Sequence, residues 1–415
     1  MQKFPNKNLS DLYKLFGESC ANEFHGSSKI KLYYILDANN RVRWAFPSNL
    51  KTPSFLNTFN SSSIKAYLYI AVCKILFKIK LKFMLSSGSI VVYYDPSKCF
   101  LKDLLNDHLI NEHFSIFFGT YGDDRKLIIE FNDGISNESI GFIKIPLSER
   151  SKKLITNESK NLEILSCKKP LKSLLDFPEL RPSRSYEALL IPNIFKDHSI
   201  IPKYSMLTPI IDLHNISYEV VTFSNFFEKK VLNNLDTLRV NKIFFNDVSE
   251  IKSNQIKDLC TNIVKSLKGL NNLYGKDELV RTSFAHKDFT PWNCRITSNK
   301  LSVIDWERAD KETSHFFDVC HYIFQNEILV KQNFDTDDIK SKIMFSLKNF
   351  NALLGLKLNN KDLEFYFYCF LIDHISTRVE LVSKSTEWFP QIDWQLNVWN
   401  NMLLNIATQK NTYKL

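Results

Sequence analysis

Apolar and polar positions alternate or recur along this chain in a pattern that predicts short strands early and longer helices late. Residues 30–36 and 89–94 read as strands, with Pro47, Pro53 and Pro96 marking turns between and after them. The runs 115–118 and 127–130 predict a hairpin turning through Gly119, Thr120, Tyr121, Gly122, Asp123 and Asp124. Residues 140–145 alternate weakly and stop at Pro146, which cannot continue a central ladder. A helix is predicted from about 149 to 165, further strands over 186–191 and 204–211, and a long helix over about 248–273. The run Leu301, Ser302, Val303, Ile304 predicts a strand that closes on Asp305.

One segment supports two readings. Residues 64–85 are apolar but interrupted by Lys65, Lys74, Lys78, Lys80 and Lys82, too much charge for a bilayer span. As a helix it gathers Lys74, Lys78 and Lys82 on one face, which suits anionic lipid. As a strand, 78–83 alternates with period two. Around it, 38–94 contains no Asp or Glu against eight basic residues, within a chain of net charge +9. A basic element packed on the body of the protein, or a contact with a membrane surface or acidic glycan, fits this better than nucleic acid, for which no module accompanies the charge.

Composition narrows the class. A 415-residue chain with 44% hydrophobic and 24% charged residues is that of a soluble globular protein of two or three domains. Its eight cysteines form no C-x-x-C pair, which argues against a zinc site or disulfide framework and for a reducing compartment. The amino terminus lacks a signal peptide's apolar core, so a cytoplasmic location is the default expectation.

The candidate chemistry lies at 286–307. His286, Asp288 and Asn293 have the spacing of a phosphotransferase catalytic loop, and Asp305 stands at a strand end, where a metal-binding carboxylate belongs. Phosphoryl transfer needs one carboxylate to orient the attacking hydroxyl and accept its proton, plus oxygen ligands to hold Mg²⁺ against nucleotide phosphates. Asp288 is the expected base, Asn293 and Asp305 the metal ligands, and His286 a brace for the loop backbone.

This order, H-x-D-x-x-x-x-N followed by an apolar strand and D-x-[DE], resembles the aminoglycoside phosphotransferase and choline kinase superfamily, relatives of the protein kinases. Lys287 departs from the family pattern, which most often has Gly there. The resemblance implies an α+β, bilobal protein-kinase-like fold with a small antiparallel β N-lobe and a mainly helical C-lobe. It implies a nucleotide-binding Lys144 paired with the helix residue Glu158, and Gly119 and Gly122 in a turn over the phosphates. It implies a helix over 316–324, with Asp318 in it as a support for the catalytic loop. Residues 1–108 would form a basic extension with α/β character, 109–212 the N-lobe and 213–415 the C-lobe. The implied activity is ATP- or GTP- and Mg²⁺-dependent transfer to a hydroxyl of a small molecule or carbohydrate. The favoured acceptor is a surface polysaccharide or lipid-linked sugar, with residues 38–94 facing an anionic membrane from the cytoplasmic side. The competing readings are a catalytically inactive kinase-like binding or scaffold protein and a peripheral membrane component of a glycan-assembly complex. Asp373, His374, Arg378 and the aromatic set Trp388, Phe389, Trp394 and Trp399 do not settle the acceptor and are expected mostly to be paired or in the core.

Overall fold

The computed structural model describes residues 8–17, 25–58, 64–95, 113–119, 124–133, 138–168, 174–179, 188–195, 199–227, 250–383 and 390–408, with a few single positions between them. The chain divides into two compact units, Met1–Leu162 with Pro178–Ile194, and Glu163–Phe177 with Phe195–Leu415. The fold is mixed α+β.

In the first unit, β1 (Ser28–Leu36) shows how a period-two pattern builds a sheet covered on both faces. Ile30, Leu32 and Tyr34 enter one core, while Tyr33 and Ile35 pack into a second core on the opposite face. Its neighbours are β2 (Val42–Pro47) and β3 (Gly88–Tyr94), followed in the chain by β4 (Phe114–Phe117), β5 (Lys126–Asn132), β6 (Ser139–Pro146) and β8 (Leu189–Pro192). These seven strands form one antiparallel sheet in the order β3-β1-β2-β4-β5-β6-β8. Helix α1 (Leu9–Phe16) contributes Leu12, Leu15 and Phe16 to the first core. Helix α2 (Ile64–Lys78) contributes Cys73 and Phe77 to the second.

Strands expected in a separate extension therefore share a sheet with those expected in an N-lobe. The junction is the pairing of Trp44 with Phe117 and Ala45 with Ile116. Aromatic contact strengthens it, since the Trp44 and Phe117 rings lie 5.8 Å apart.

The segment 64–85 resolves in favour of a helix. Lys80 adopts φ 61°, so the chain turns there, and the apparent alternation over 78–83 is a helix end followed by a 3₁₀ turn at Lys82–Leu85. The strand expected over 204–211 is also corrected. That stretch is 3₁₀, Tyr204–Met206 and Thr208–Asn215, because Pro209 sits in the first turn with its φ already set for helix. Only the end of the strand expected over 186–191 is described, as β8, its first residues lying outside the described set.

Helix α3 (Glu149–Cys167) follows β6, and the unit boundary falls inside it. The second unit then holds β7 (Leu175–Asp176), β9 (Tyr218–Thr222), the short α4 (Phe223–Phe227) and the long α5 (Glu250–Tyr274). After these come β10 (Leu279–Ala285), β11 (Cys294–Thr297), β12 (Lys300–Val303) and β13 (Asp310–Ser314). Helices α6 (Phe317–Gln325), α7 (Thr336–Leu354), α8 (Asn360–Ser383) and α9 (Pro390–Thr408) complete it. Two three-stranded sheets, β13-β10-β9 and β11-β12-β7, carry the candidate site between them and the helices. Asn262 Nδ2 donates to Asn400 Oδ1 at 2.6 Å and Ser266 Oγ to the Leu403 carbonyl at 2.8 Å, tying α5 to α9. Asp335 caps α7 by accepting from the Asp337 and Asp338 N–H groups, and Gly355 ends it in the left-handed region at φ 64°.

Candidate active site

In the first unit, the pleat of β6 sends Ile143 and Ile145 into the first core and Lys144 to the other face. There its Nζ lies 2.7 Å from each carboxylate oxygen of Glu158 on α3. Both side chains are nearly inaccessible, at 7% and 0% exposure, so each charge is compensated by the other.

Gly119 is required by backbone geometry. Its φ is +69°, and a Cβ there would stand 2.4 Å from the Lys126 carbonyl oxygen. Its own carbonyl accepts from Arg43 Nη1 at 3.2 Å. Gly122 also has a positive φ, of 146°, but open space around it. Thr120, Tyr121 and Asp123 lie outside the described residues.

In the second unit, the loop between β10 and β11 is built from the inside out. His286 is fully buried and braced twice through its ring: Nε2–H donates to the Ile304 carbonyl at 2.9 Å, and Nδ1 accepts the Asp288 N–H at 3.2 Å. Both ring nitrogens are thereby engaged with the loop and the strand end. The ring thus ties the loop directly to the strand end that carries Asp305. The Trp306 indole packs 4.6 Å from the His286 ring and donates to the Val303 carbonyl, holding the same corner.

Asp318, in the first turn of α6, grips the start of the loop. Its two oxygens accept the backbone N–H groups of His286 at 2.7 Å and Lys287 at 2.9 Å. Burial pushes this carboxyl up, and His286 with the two N–H bonds offsets that only in part.

Lys287 stands at φ 60°, in the left-handed region where Gly is at ease. Its ammonium lies 3.3 Å from Asp373 on α8, a carboxylate with 1% exposure, and 5.4 Å from the Phe317 ring centre. The departure at this position thus replaces a glycine's backbone freedom with an ion pair to α8.

Asp288 is held at both oxygens. Arg378 Nη2 donates to Oδ1 at 2.7 Å, and Asn293 Nδ2 donates to Oδ2 at 3.1 Å and to the Asp288 carbonyl at 2.9 Å. Burial pushes the Asp288 carboxyl up, but Arg378, with His321 and Arg308 behind it, outweighs burial and holds it below the usual carboxylate range. Asp305 is near enough to oppose them. The result is an ionised carboxylate of fixed orientation.

Asn293 spends its amide hydrogens on Asp288, so its carbonyl oxygen is the ligating atom it can offer. Asp305, at φ 70° and ψ 55°, sits in the left-handed region just past β12 and begins the turn Trp306–Arg308. A carboxamide oxygen and a carboxylate are hard oxygen donors, the set a magnesium ion takes.

The site includes groups that local sequence could not assign. Arg378 is 90 residues from Asp288 along the chain, and only the packing of α8 brings them together. His321 on α6 is buried, its Nδ1 3.1 Å from the Phe289 carbonyl, and burial with the Arg378 charge drives its pKa down to about 3. Trp399 is core, edge-on to His374 at 5.8 Å, and Trp394 packs beside Phe334. Trp388 and Phe389 lie outside the described residues.

Among solved structures, the chain is similar to a choline kinase from Cryptosporidium parvum Iowa II, at 14% identity over 72% of this chain and 90% of that one, with a TM-score of 0.46. It is similar to the Plasmodium vivax ethanolamine kinase at 12% identity, over 86% and 92% of the two chains, with a TM-score of 0.41. It is also similar to an aminoglycoside phosphotransferase in ternary complex with ADP and hygromycin B, at 11% identity, over 74% and 99%, with a TM-score of 0.41. No protein-family model matches the sequence, and no curated protein sequence matches it.

Proposed function

We propose that this protein is a phosphotransferase that moves the γ-phosphoryl group of ATP or GTP to a hydroxyl on a small molecule or carbohydrate. The observation that carries the reading is the Asp288 carboxylate, ionised and fixed by Asn293 and Arg378 on a loop that His286 and Asp318 lock in place. In phosphoryl transfer the protein's work is positioning and charge stabilisation more than covalent chemistry. A carboxylate held below its usual range is a weak base. It suits a reaction in which the acceptor hydroxyl is first oriented and gives up its proton late.

Asn293 Oδ1 and Asp305 would hold Mg²⁺, which when bound neutralises the phosphate oxygens. The ion-paired Lys144, steadied by Glu158, is assigned to the nucleotide phosphates. Gly119 and Gly122 take the turn expected over them, though Gly119 is already required by its own hairpin. A carbohydrate, including a lipid-linked sugar, remains the favoured acceptor class.

The test is Asp288→Asn. The substitution keeps the shape and removes the charge that orients the hydroxyl. Turnover falls by at least about 10³-fold while nucleotide binding persists, given the size of general-base and positioning effects. Turnover within tenfold of wild type would remove Asp288 from the reaction and favour an inactive, nucleotide-binding scaffold.

A further inference from the structure

Helix α2 is apolar on two faces, and only one of them is covered. Cys73 and Phe77 are buried in the second core, with Tyr69 and Ile70 packed against it. On the other side stand Leu68, Val72, Ile75 and Ile79, between 48% and 62% exposed. Their spacing of four, three and four residues places them in one narrow stripe along the helix. The Ile79 N–H still bonds the Ile75 carbonyl at 3.0 Å, so the stripe continues through the helix end. Phe83 and Met84, in the 3₁₀ turn that follows, are also exposed, at 51% and 64%.

Lys74 and Lys78, both exposed, run along one flank of the stripe, and Lys80 stands exposed in the turn at its end. Lys82 does not share in this surface. Its ammonium turns inward, 2.5 Å from the Leu50 carbonyl and 5.7 Å from the Phe77 ring centre. Across residues 38–94 there is no carboxylate side chain to oppose these cations.

We infer that this face of α2 and the Lys82–Leu85 turn is a docking surface for an anionic lipid bilayer. Charge selects that occupant. Protein–protein interface cores are depleted in Lys, whereas in-plane membrane helices combine a Leu- and Phe-bearing apolar face with flanking Lys. The stripe lies in the interface with Phe83 and Met84 at acyl-chain depth, and Lys74, Lys78 and Lys80 reach lipid phosphates. The helix does not cross the bilayer. It has 15 residues, and no helix among the described residues is long and apolar enough to span one. Docking through this face is independent of the chemistry at Asp288.

The test is cosedimentation of the full chain with phosphatidylcholine vesicles, with and without phosphatidylglycerol. Wild type pellets with the anionic vesicles and is released by high salt. Lys74→Gln with Lys78→Gln lowers partitioning by about 25-fold, at roughly fivefold per lysine. Ile75→Ser with Ile79→Ser also lowers it strongly, without changing the urea midpoint, because both side chains are already exposed. Wild type left in the supernatant at low salt would overturn the inference. So would partitioning that the serine pair leaves unchanged, since that is surface adsorption without insertion. Light scattering gives a further check. A concentration-dependent dimer abolished by Ile75→Ser, in a protein indifferent to vesicles, would assign the face to a second copy and overturn lipid docking.

Discussion

At the scale of single residues, Lys287 shows how a departure from a familiar pattern can be compensated. The backbone there occupies the left-handed region, which costs a non-glycine residue roughly 1 kcal/mol or more. Against that, its ammonium neutralises the buried Asp373, and breaking a buried pair on one side costs about 3–5 kcal/mol. The second quantity is larger. Lys287→Gly therefore destabilises the protein by about 2 kcal/mol or more, and adding Asp373→Asn restores most of the loss. Urea unfolding of the two variants checks this. A glycine variant as stable as wild type would show that the ion pair contributes no more than about 1 kcal/mol, the backbone cost it offsets. The sequence marked position 287 as unusual, but its partner 86 residues away depends on how α8 packs.

At the scale of elements, the site is assembled by helix ends and strand ends acting on one loop. Asp318 stands in the first turn of α6, where a carboxylate is favoured by the helix dipole, and also takes two loop N–H groups. Asp318→Ala leaves both donors buried without that partner, at about 1–3 kcal/mol each. We expect a lower melting temperature and a reduced kcat, with nucleotide affinity largely kept. Unchanged kcat in a folded variant would reduce Asp318 to a helix-end residue. The strand β12, the helices α3 and α5 and the hairpin β4–β5 were legible from periodicity and turn residues, and α6 through the family resemblance. The wrong strand over 204–211 and the ambiguity over 78–83 share one physical cause. Over 204–211 and 78–83, short apolar runs fit more than one local structure, and Pro209 and the left-handed Lys80 decided the outcome. Likewise, nothing local says that β2 takes β4 as its neighbour; partner choice along a sheet edge is a long-range property.

At the scale of the molecule, the second unit carries a cluster of histidines held neutral. Burial drives His214 down to about 3, His321 to about 3 and His315 to about 4, with the neighbouring histidine or arginine charges adding to it. Burial, with His321 next, takes His374 well below its ordinary value of 6.5. Rings of His214 and His315 stack at 4.5 Å, and those of His321 and His374 lie 5.0 Å apart. In the unfolded chain each of the four takes a proton near its ordinary value. Between that value and the depressed ones the unfolded state binds more protons, so stability is lost as pH falls through this window. Each histidine contributes a slope of up to about 1.4 kcal/mol per pH unit. The urea midpoint should accordingly drop steeply between about pH 7 and about pH 5, well above carboxylate titration. A flat midpoint over that range would contradict the burial of these rings. The histidines were visible in the sequence, but their shared burial was not.

On the reading proposed above, Asp305 and Asn293 hold a metal that a nucleoside triphosphate requires. The measurement that tests it most directly is thermal stability with ATP or GTP, each with and without Mg²⁺, for wild type and Asp305→Ala. We expect a shift in the wild type that needs nucleotide and metal together and disappears in the variant, since only a ligand bound to the folded state raises its melting temperature. A shift equally large in Asp305→Ala, or none in the wild type under any of these conditions, would contradict it.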